Sequence, residues 1–147
     1  MAELLSIERD GEVALVTLER PEKRNALSIE LRIELAETFG RLGDDAGVGC
    51  VVLTGAGTAF CSGMDVTQFG GDRDHKRRLV ETSTLAFDAV GGCTRPVVAA
   101  VNGPAIAGGG GDQAPHPARA RRLRGFLFED ERRAFHRALL GEDPDGA

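Results

Sequence analysis

Two apolar runs in this chain each end in a cluster of glycines, and what such clusters offer to chemistry is unobstructed backbone N–H groups. One runs Val51-Val-Leu-Thr-Gly-Ala-Gly57 and continues as Thr58-Ala-Phe-Cys-Ser-Gly-Met-Asp65. The other runs Arg95-Pro-Val-Val-Ala-Ala-Val-Asn-Gly-Pro-Ala-Ile-Ala-Gly-Gly-Gly-Gly111. The successive glycines Gly108 to Gly111 add nothing to packing, but they let the main chain come close to a ligand. Cys61, Ser62 and Gly63 are likewise small and lead to an exposed N–H at Met64. Two strand-to-glycine turns imply two donors. If they converge on one carbonyl oxygen they form an oxyanion hole, which acyl-thioester chemistry needs when negative charge moves onto that oxygen.

The elements that must position these donors can be read along the chain. Leu4 to Ile7 and Val13 to Leu18 flank Asp10-Gly11, a hairpin signal, and both faces of the second strand are apolar enough for burial on two sides. Pro21 ends that strand and Glu22-Lys23-Arg24-Asn25 forms a polar loop. Ser28 is placed to cap a helix through Leu42, with Glu30 in its first turn where the dipole favours an acid. Ile29, Leu31, Ile33, Leu35, Phe39 and Leu42 make its apolar stripe, and Glu30, Arg32, Glu34 and Glu37 are expected to point away. A strand over Val48 to Leu53 follows, so the pair should be parallel with a right-handed crossover. Val66 to Arg73 reads as a mobile Gly- and Asp-rich loop. Lys76 to Val90 reads as a second helix, apolar at Leu79, Val80, Leu85, Ala86, Ala89 and Val90, with cations at the unfavourable end of its dipole. Val97 to Val101 is then a buried strand stopped by Asn102-Gly103-Pro104.

Four of these segments together resemble one family. Arg20-Pro-Glu-Lys-Arg-Asn-Ala-Leu27, Leu53-Thr-Gly55, Ala59-Phe-Cys-Ser-Gly-Met-Asp65 and Pro96-Val-Val-Ala-Ala-Val-Asn-Gly-Pro-Ala-Ile-Ala-Gly-Gly109 are similar, in order and spacing, to the crotonase superfamily of enoyl-CoA hydratases and isomerases. The resemblance implies an α/β fold of ββα repeats with mainly parallel strands, with residues 1–109 as an incomplete acyl-CoA-binding core. It implies that the oxyanion donors are the backbone N–H groups of Met64 and Gly108. It places Arg24, Ala26, Cys61, Gly63, Met64, Asp65, Ile106, Gly108 and Gly109 against the substrate. No cofactor is implied beyond the coenzyme A thioester that is itself substrate, and family members assemble as homo-trimers or hexamers. Hydration of a 2-enoyl-CoA is the commonest reaction of the scaffold, and isomerisation, decarboxylation and dehalogenation share its oxyanion hole.

Composition narrows the rest. With 41% hydrophobic and 28% charged residues the chain has the balance of one globular domain. Met1-Ala-Glu-Leu-Leu-Ser-Ile-Glu8 carries acids where a signal peptide carries basic residues, and no apolar run reaches membrane-spanning length, so a cytoplasmic protein is expected. Cys50, Cys61 and Cys93 lack metal-type or disulfide spacing and read as small core residues. A net charge of -5 gives no general attraction to nucleic acid, and the arginines between Arg119 and Arg124 are the one segment that could meet phosphates.

The tail changes language. From Ala107 to Ala147 there is no Val, Ile, Ser, Thr, Lys or Asn, while Arg, Ala, Gly, Pro and Asp abound. Residues 110–147 are therefore either a divergent polar tail with one helix over Leu127 to Leu140, or the product of a reading frame shifted near Gly109 or Gly110. Arg121 to Leu127, back-translated and read one base along, can spell Asp-Ala-Cys-Val-Ala-Ser-Ser, which looks like the family's next strand. By count, the family's two acids fall at Gly111, beside Asp112, and near Glu131. Such a chain either catalyses as its family does or persists as an inactive acyl-CoA-binding remnant.

Overall fold

The computed structural model describes residues 3–105 and the backbone of residues 120–122. Five strands form one sheet in chain order: β1 (Leu5–Asp10), β2 (Val13–Leu18), β3 (Cys50–Gly55), β4 (Val97–Ala100) and β5 (Ala120–Arg122). β1 pairs antiparallel with β2 through the Asp10-Gly11 hairpin, and β2, β3 and β4 pair parallel in turn. Helices α1 (Ile29–Asp44) and α2 (Arg73–Gly91) make the two crossovers. Parallel neighbours need such a crossover because a tight turn cannot return the chain to the same end of the sheet.

The core lies between the sheet and the helices. Ala14, Val16 and Leu18 of β2, Val51 and Leu53 of β3 and Val97 and Ala99 of β4 are buried against Leu31, Leu35 and Phe39 of α1 and Leu79, Ala86 and Phe87 of α2. Strand side chains alternate, so this one face takes every second residue. The other face of β2 departs from the expected two-sided burial. Val13 is 39% exposed and Leu15 and Thr17 are half-buried, because the described helices cover only one side.

α1 begins where the sequence signals it, with the Ser28 hydroxyl accepting from the Leu31 N–H at 3.2 Å. Its stripe contains a residue expected at the surface. Arg32 is fully buried, because it lies three residues after Ile29 and seven before Phe39 on the same side of the helix. α2 starts three residues earlier than expected, capped by Asp72, whose carboxylate accepts from the His75 N–H at 2.8 Å, with Asp74 in the first turn. These acids offset the cations that follow. Leu85, expected in its apolar stripe, is 53% exposed, and Phe87 is buried instead. The loop before α2 holds a 3-10 turn, Val66–Gln68, fastened where the Gln68 side chain accepts from the Ile29 N–H at 2.7 Å and donates to Glu30 at 3.0 Å. That carboxyl is held below the usual range, chiefly by the Gln68 hydrogen bond. The three cysteines are partly buried and in no disulfide, and of them Cys61 and Cys93 pack against the margin of the core.

Three residues of the tail, Ala120–Arg122, pair antiparallel with β4 as β5. The helix expected over Leu127 to Leu140, Ile106, the glycines Gly108 to Gly111, Asp112 and Glu131 lie outside the described residues.

Candidate functional site

The carboxyl ends of β3 and β4 are hydrogen-bonded neighbours, and the segments leaving them stay together. Thr54 donates through its hydroxyl to the Ala100 carbonyl at 2.8 Å, and Cys61 bridges Ala105 in parallel. The N–H groups of Phe60 and Cys61 donate to the Pro104 carbonyl at 3.1 and 3.3 Å. The chain approaching Ile106 thus runs beside the chain approaching Met64.

A third segment completes this edge. Residues 20–28 lie along residues 60–65, with the Ser62 N–H donating to the Arg24 carbonyl (3.0 Å), Leu27 N–H to the Gly63 carbonyl (2.8 Å) and Asp65 N–H to the Leu27 carbonyl (3.2 Å). The loop can run this way because Arg24 and Asn25 both adopt left-handed backbone, at φ 52° and 57°. Asn tolerates that region and Arg does so at a cost, so the loop must be held by its surroundings. Asn25 does the holding. It is fully buried, accepts from the Arg20 N–H at 2.9 Å, and donates to the carbonyls of Ala56 at 3.0 Å and Ala59 at 2.9 Å. Asn102 grips the same turn from the β4 side, accepting from the Gly55 N–H at 3.1 Å and donating to the carbonyls of Gly57 at 3.1 Å and Ala59 at 3.3 Å. Gly55 is required at the crossing, since a Cβ there would stand 2.5 Å from the Phe60 carbonyl oxygen and 2.7 Å from Asn25 Nδ2.

Met64 sits where these threads meet. Its residue is 7% exposed, and Gly63 before it has φ 90°, backbone that favours glycine. The Gly63 carbonyl points at Leu27, so across a trans peptide the Met64 N–H points the opposite way. No acceptor among the described residues meets it. Backbone donors of buried residues are almost always paired, so an N–H of a buried residue that meets no acceptor among the described residues is a candidate donor to a ligand oxygen.

The other residues named from the sequence take distinct places. Ala26 is buried and its carbonyl accepts from Arg20 Nη1 at 2.5 Å. Cys61 and Gly63 line the same short segment, whereas Arg24 is exposed with its carbonyl turned to Ser62. Asp65 is buried in a network: Arg20 Nη2 lies 3.2 Å from its Oδ2, and Thr67 donates to Oδ1 through its N–H at 3.1 Å and its hydroxyl at 2.5 Å. Burial pushes the Asp65 carboxyl up, but the Thr67 and Arg20 hydrogen bonds outweigh it and hold the group below the ordinary carboxylate range. A carboxylate so engaged is an anchor. His75, given no catalytic part by the sequence, donates through Nε2 to the Gln68 carbonyl at 2.7 Å.

Sequence reasoning missed Asn25, Asn102 and Arg32 as organising side chains. A signal existed for each: Asn in a turn is prone to left-handed backbone, Asn102 directly follows the Val97 to Val101 strand run and opens its Asn-Gly-Pro stop, and Arg32 falls on the helical period of Ile29, Leu35 and Phe39. Among the described residues no helix is long and apolar enough to cross a membrane, and no cluster of His, Cys, Asp or Glu is arranged to hold a metal.

Comparison with known proteins bears on this edge. Residues 8–111 match the family model described as enoyl-CoA hydratase/isomerase. An enoyl-CoA hydratase of Mycobacterium tuberculosis is 40% identical over 107 residues, covering 70% of this chain and 40% of that protein. A peroxisomal Delta(3,5)-Delta(2,4)-dienoyl-CoA isomerase of Arabidopsis thaliana is 32% identical over 120 residues, covering 73% of this chain and 43% of that protein. Among solved structures, an enoyl-CoA hydratase of Bacillus anthracis superposes with a TM-score of 0.67 at 32% identity, over 73% of this chain and 43% of its own. The chain spans about two fifths of the length of the curated relatives it matches, 42% for one from Thermus thermophilus and 41% for another from Mycobacterium tuberculosis.

Proposed function

This chain belongs to the enoyl-CoA hydratase/isomerase family, and from that premise we propose that it binds an acyl-CoA thioester and polarises the thioester carbonyl through the Met64 N–H, with Gly108 as the second donor. The observation that carries this reading is the Met64 N–H itself, buried and turned away from Leu27 toward no acceptor among the described residues. In the parent reaction, hydration of a 2-enoyl-CoA, a base takes a proton from water as its oxygen bonds to C3. The electron pair of the double bond moves onto the thioester oxygen, and an acid then returns a proton to C2. A donor fixed in advance stabilises the charge on that oxygen without reorganising, and in related acyl-transfer sites one such donor is worth about 10²–10³ in rate.

Binding and proton transfer are separable in this chain. Arg24 and Ala26 are proposed to meet the coenzyme A portion, Cys61, Gly63, Asp65, Ile106 and Gly109 to line the acyl portion, and a small-molecule thioester to be the partner of the site. Asp65 is committed to Arg20 and Thr67, which favours a chain that binds and polarises over one that hydrates. The only candidates by sequence position for the acids that hydration requires are Asp112, beside the Gly111 that takes the family's first acid position, and Glu131, and neither sits in the family's motif. Calorimetric titration with crotonyl-CoA and with coenzyme A tests the first part, and loss of the enoyl-thioester absorbance tests the second. The reading predicts tighter binding of the thioester than of free coenzyme A, with negligible hydration. Equal affinity for both, or turnover in the ordinary range of about 1–10³ per second, contradicts it.

A further inference from the structure

An arginine lies fully buried between α1 and α2, where apolar side chains of its volume would ordinarily serve stability as well or better. The partners of Arg32 explain its presence. Its Nε donates to the Leu27 carbonyl at 3.0 Å, and its Nη1 donates to the Leu79 carbonyl at 3.0 Å and the Thr82 hydroxyl at 3.3 Å. Both carbonyls lead to Met64. The Leu27 carbonyl also accepts from the Asp65 N–H, and the Leu27 N–H donates to the Gly63 carbonyl, so the Leu27 residue brackets Met64 on both sides. The Leu79 carbonyl also accepts from the Ser83 hydroxyl at 2.7 Å, and that hydroxyl lies 3.9 Å from the Met64 sulfur.

Resting on the oxyanion reading above, we propose that Arg32 is a positioning residue, holding the Met64 backbone through Leu27 and the Met64 side chain through Leu79 and Ser83, so that the Met64 N–H keeps its direction. One guanidinium reaches both routes because its nitrogens diverge in a rigid plane; a lysine ammonium can satisfy one carbonyl but not both in the same geometry. The charge is retained for the task. Burial pulls the guanidinium down to about 10 while Asp65 and Glu30 oppose the shift, which leaves it protonated at neutral pH. A donor misplaced by a fraction of an ångström loses polarising power before the ligand loses its other contacts.

The experiment compares Arg32→Lys and Arg32→Met with Phe39→Leu, which loosens the same helix layer without touching either route. The ligand-free readout is the Met64 amide resonance and its hydrogen exchange. The liganded readout is the red shift of bound 4-dimethylaminocinnamoyl-CoA, whose absorption follows carbonyl polarisation, together with its Kd. Both Arg32 variants are expected to move the Met64 resonance, speed its exchange relative to the remaining core, and lose most of the red shift with Kd within about tenfold of the parent. Phe39→Leu is expected to keep the red shift. A parent-like red shift and an unmoved Met64 resonance in Arg32→Lys overturn the proposal, as does an equal loss of red shift in Phe39→Leu. If the parent chain itself gives no red shift, the oxyanion reading fails, and the Met64 amide decides the positioning role alone: moved in both Arg32 variants upholds it, unmoved overturns it.

Discussion

The helix layer and the carboxyl edge of the sheet are built on different terms. Between the sheet and the helices, Phe39, Leu31, Leu79 and Val51 are held by removal of apolar surface from water, a force without direction that tolerates small shifts. At the edge, Asn25, Asn102, Arg20 and Asp65 hold backbone to backbone through hydrogen bonds with defined partners. The first region keeps the chain folded, while the second gives the Met64 N–H a direction. A change in the layer should therefore cost stability everywhere, and a change at the edge should cost ligand binding beyond its cost in stability.

The largest break is expected in the layer. Phe39→Ala removes a side chain that is 1% exposed and should cost about 3–5 kcal/mol, seen in urea unfolding as a lower midpoint. Amide exchange should then quicken throughout the protein, Met64 included. Asn25→Ala should cost somewhat less, about 3 kcal/mol, by leaving the Arg20 N–H and the Ala56 carbonyl without this partner and placing alanine in left-handed backbone. Unlike Phe39→Ala, it should also weaken crotonyl-CoA binding in the fraction that remains folded, measured by titration well below the unfolding midpoint. An Asn25→Ala protein with parent affinity would erase the distinction between the two regions.

The ion pair within the edge sharpens it. Arg20 and Asp65 are 13% and 9% exposed at their side chains, and a double-mutant cycle with Arg20→Met and Asp65→Asn should return a coupling of about 1–2 kcal/mol. The pH dependence has a definite sign. Asp65 is held below its ordinary value when folded, so its contribution is fully present above the unfolded carboxylate pKa of about 4 and is lost as pH falls through the lower folded value. Unfolding midpoints recorded from about pH 6 to about pH 3 should fall less steeply in Asp65→Asn than in the parent. The smallest effect belongs to the surface pair of Arg9 and Asp45, 3.2 Å apart and 39% and 44% exposed. Arg9→Ala should leave the unfolding midpoint unchanged, since exposed pairs are screened by water and salt.

The same contrast accounts for what the sequence made legible. The hairpin at Asp10-Gly11, the Ser28 cap and the parallel β2–β3 pair follow from local periodicity and turn residues, and the structure has them. Asp72 as the cap of α2 was obscured by the cations after it. Leu85 and Phe87 exchanged places because apolar character alone does not say which side of a stripe meets the neighbouring helix. Arg32, Asn25 and Asn102 were harder for a different reason. Their meaning lies in partners 47, 34 and 45 residues away, and polar residues in a sequence look solvated until the fold brings a carbonyl to them. The Met64 N–H itself was named through family resemblance, and its direction away from Leu27 follows only from the pairing of residues 20–28 with residues 60–65.

The central claim concerns one proton, and amide NMR during titration reads it directly. On addition of crotonyl-CoA the Met64 amide proton should move downfield, as a donor does on meeting a carbonyl oxygen, and coenzyme A without its acyl group should leave it in place. A Met64 resonance that stays unmoved as crotonyl-CoA saturates the protein, with shifts confined to other amides, would contradict the account.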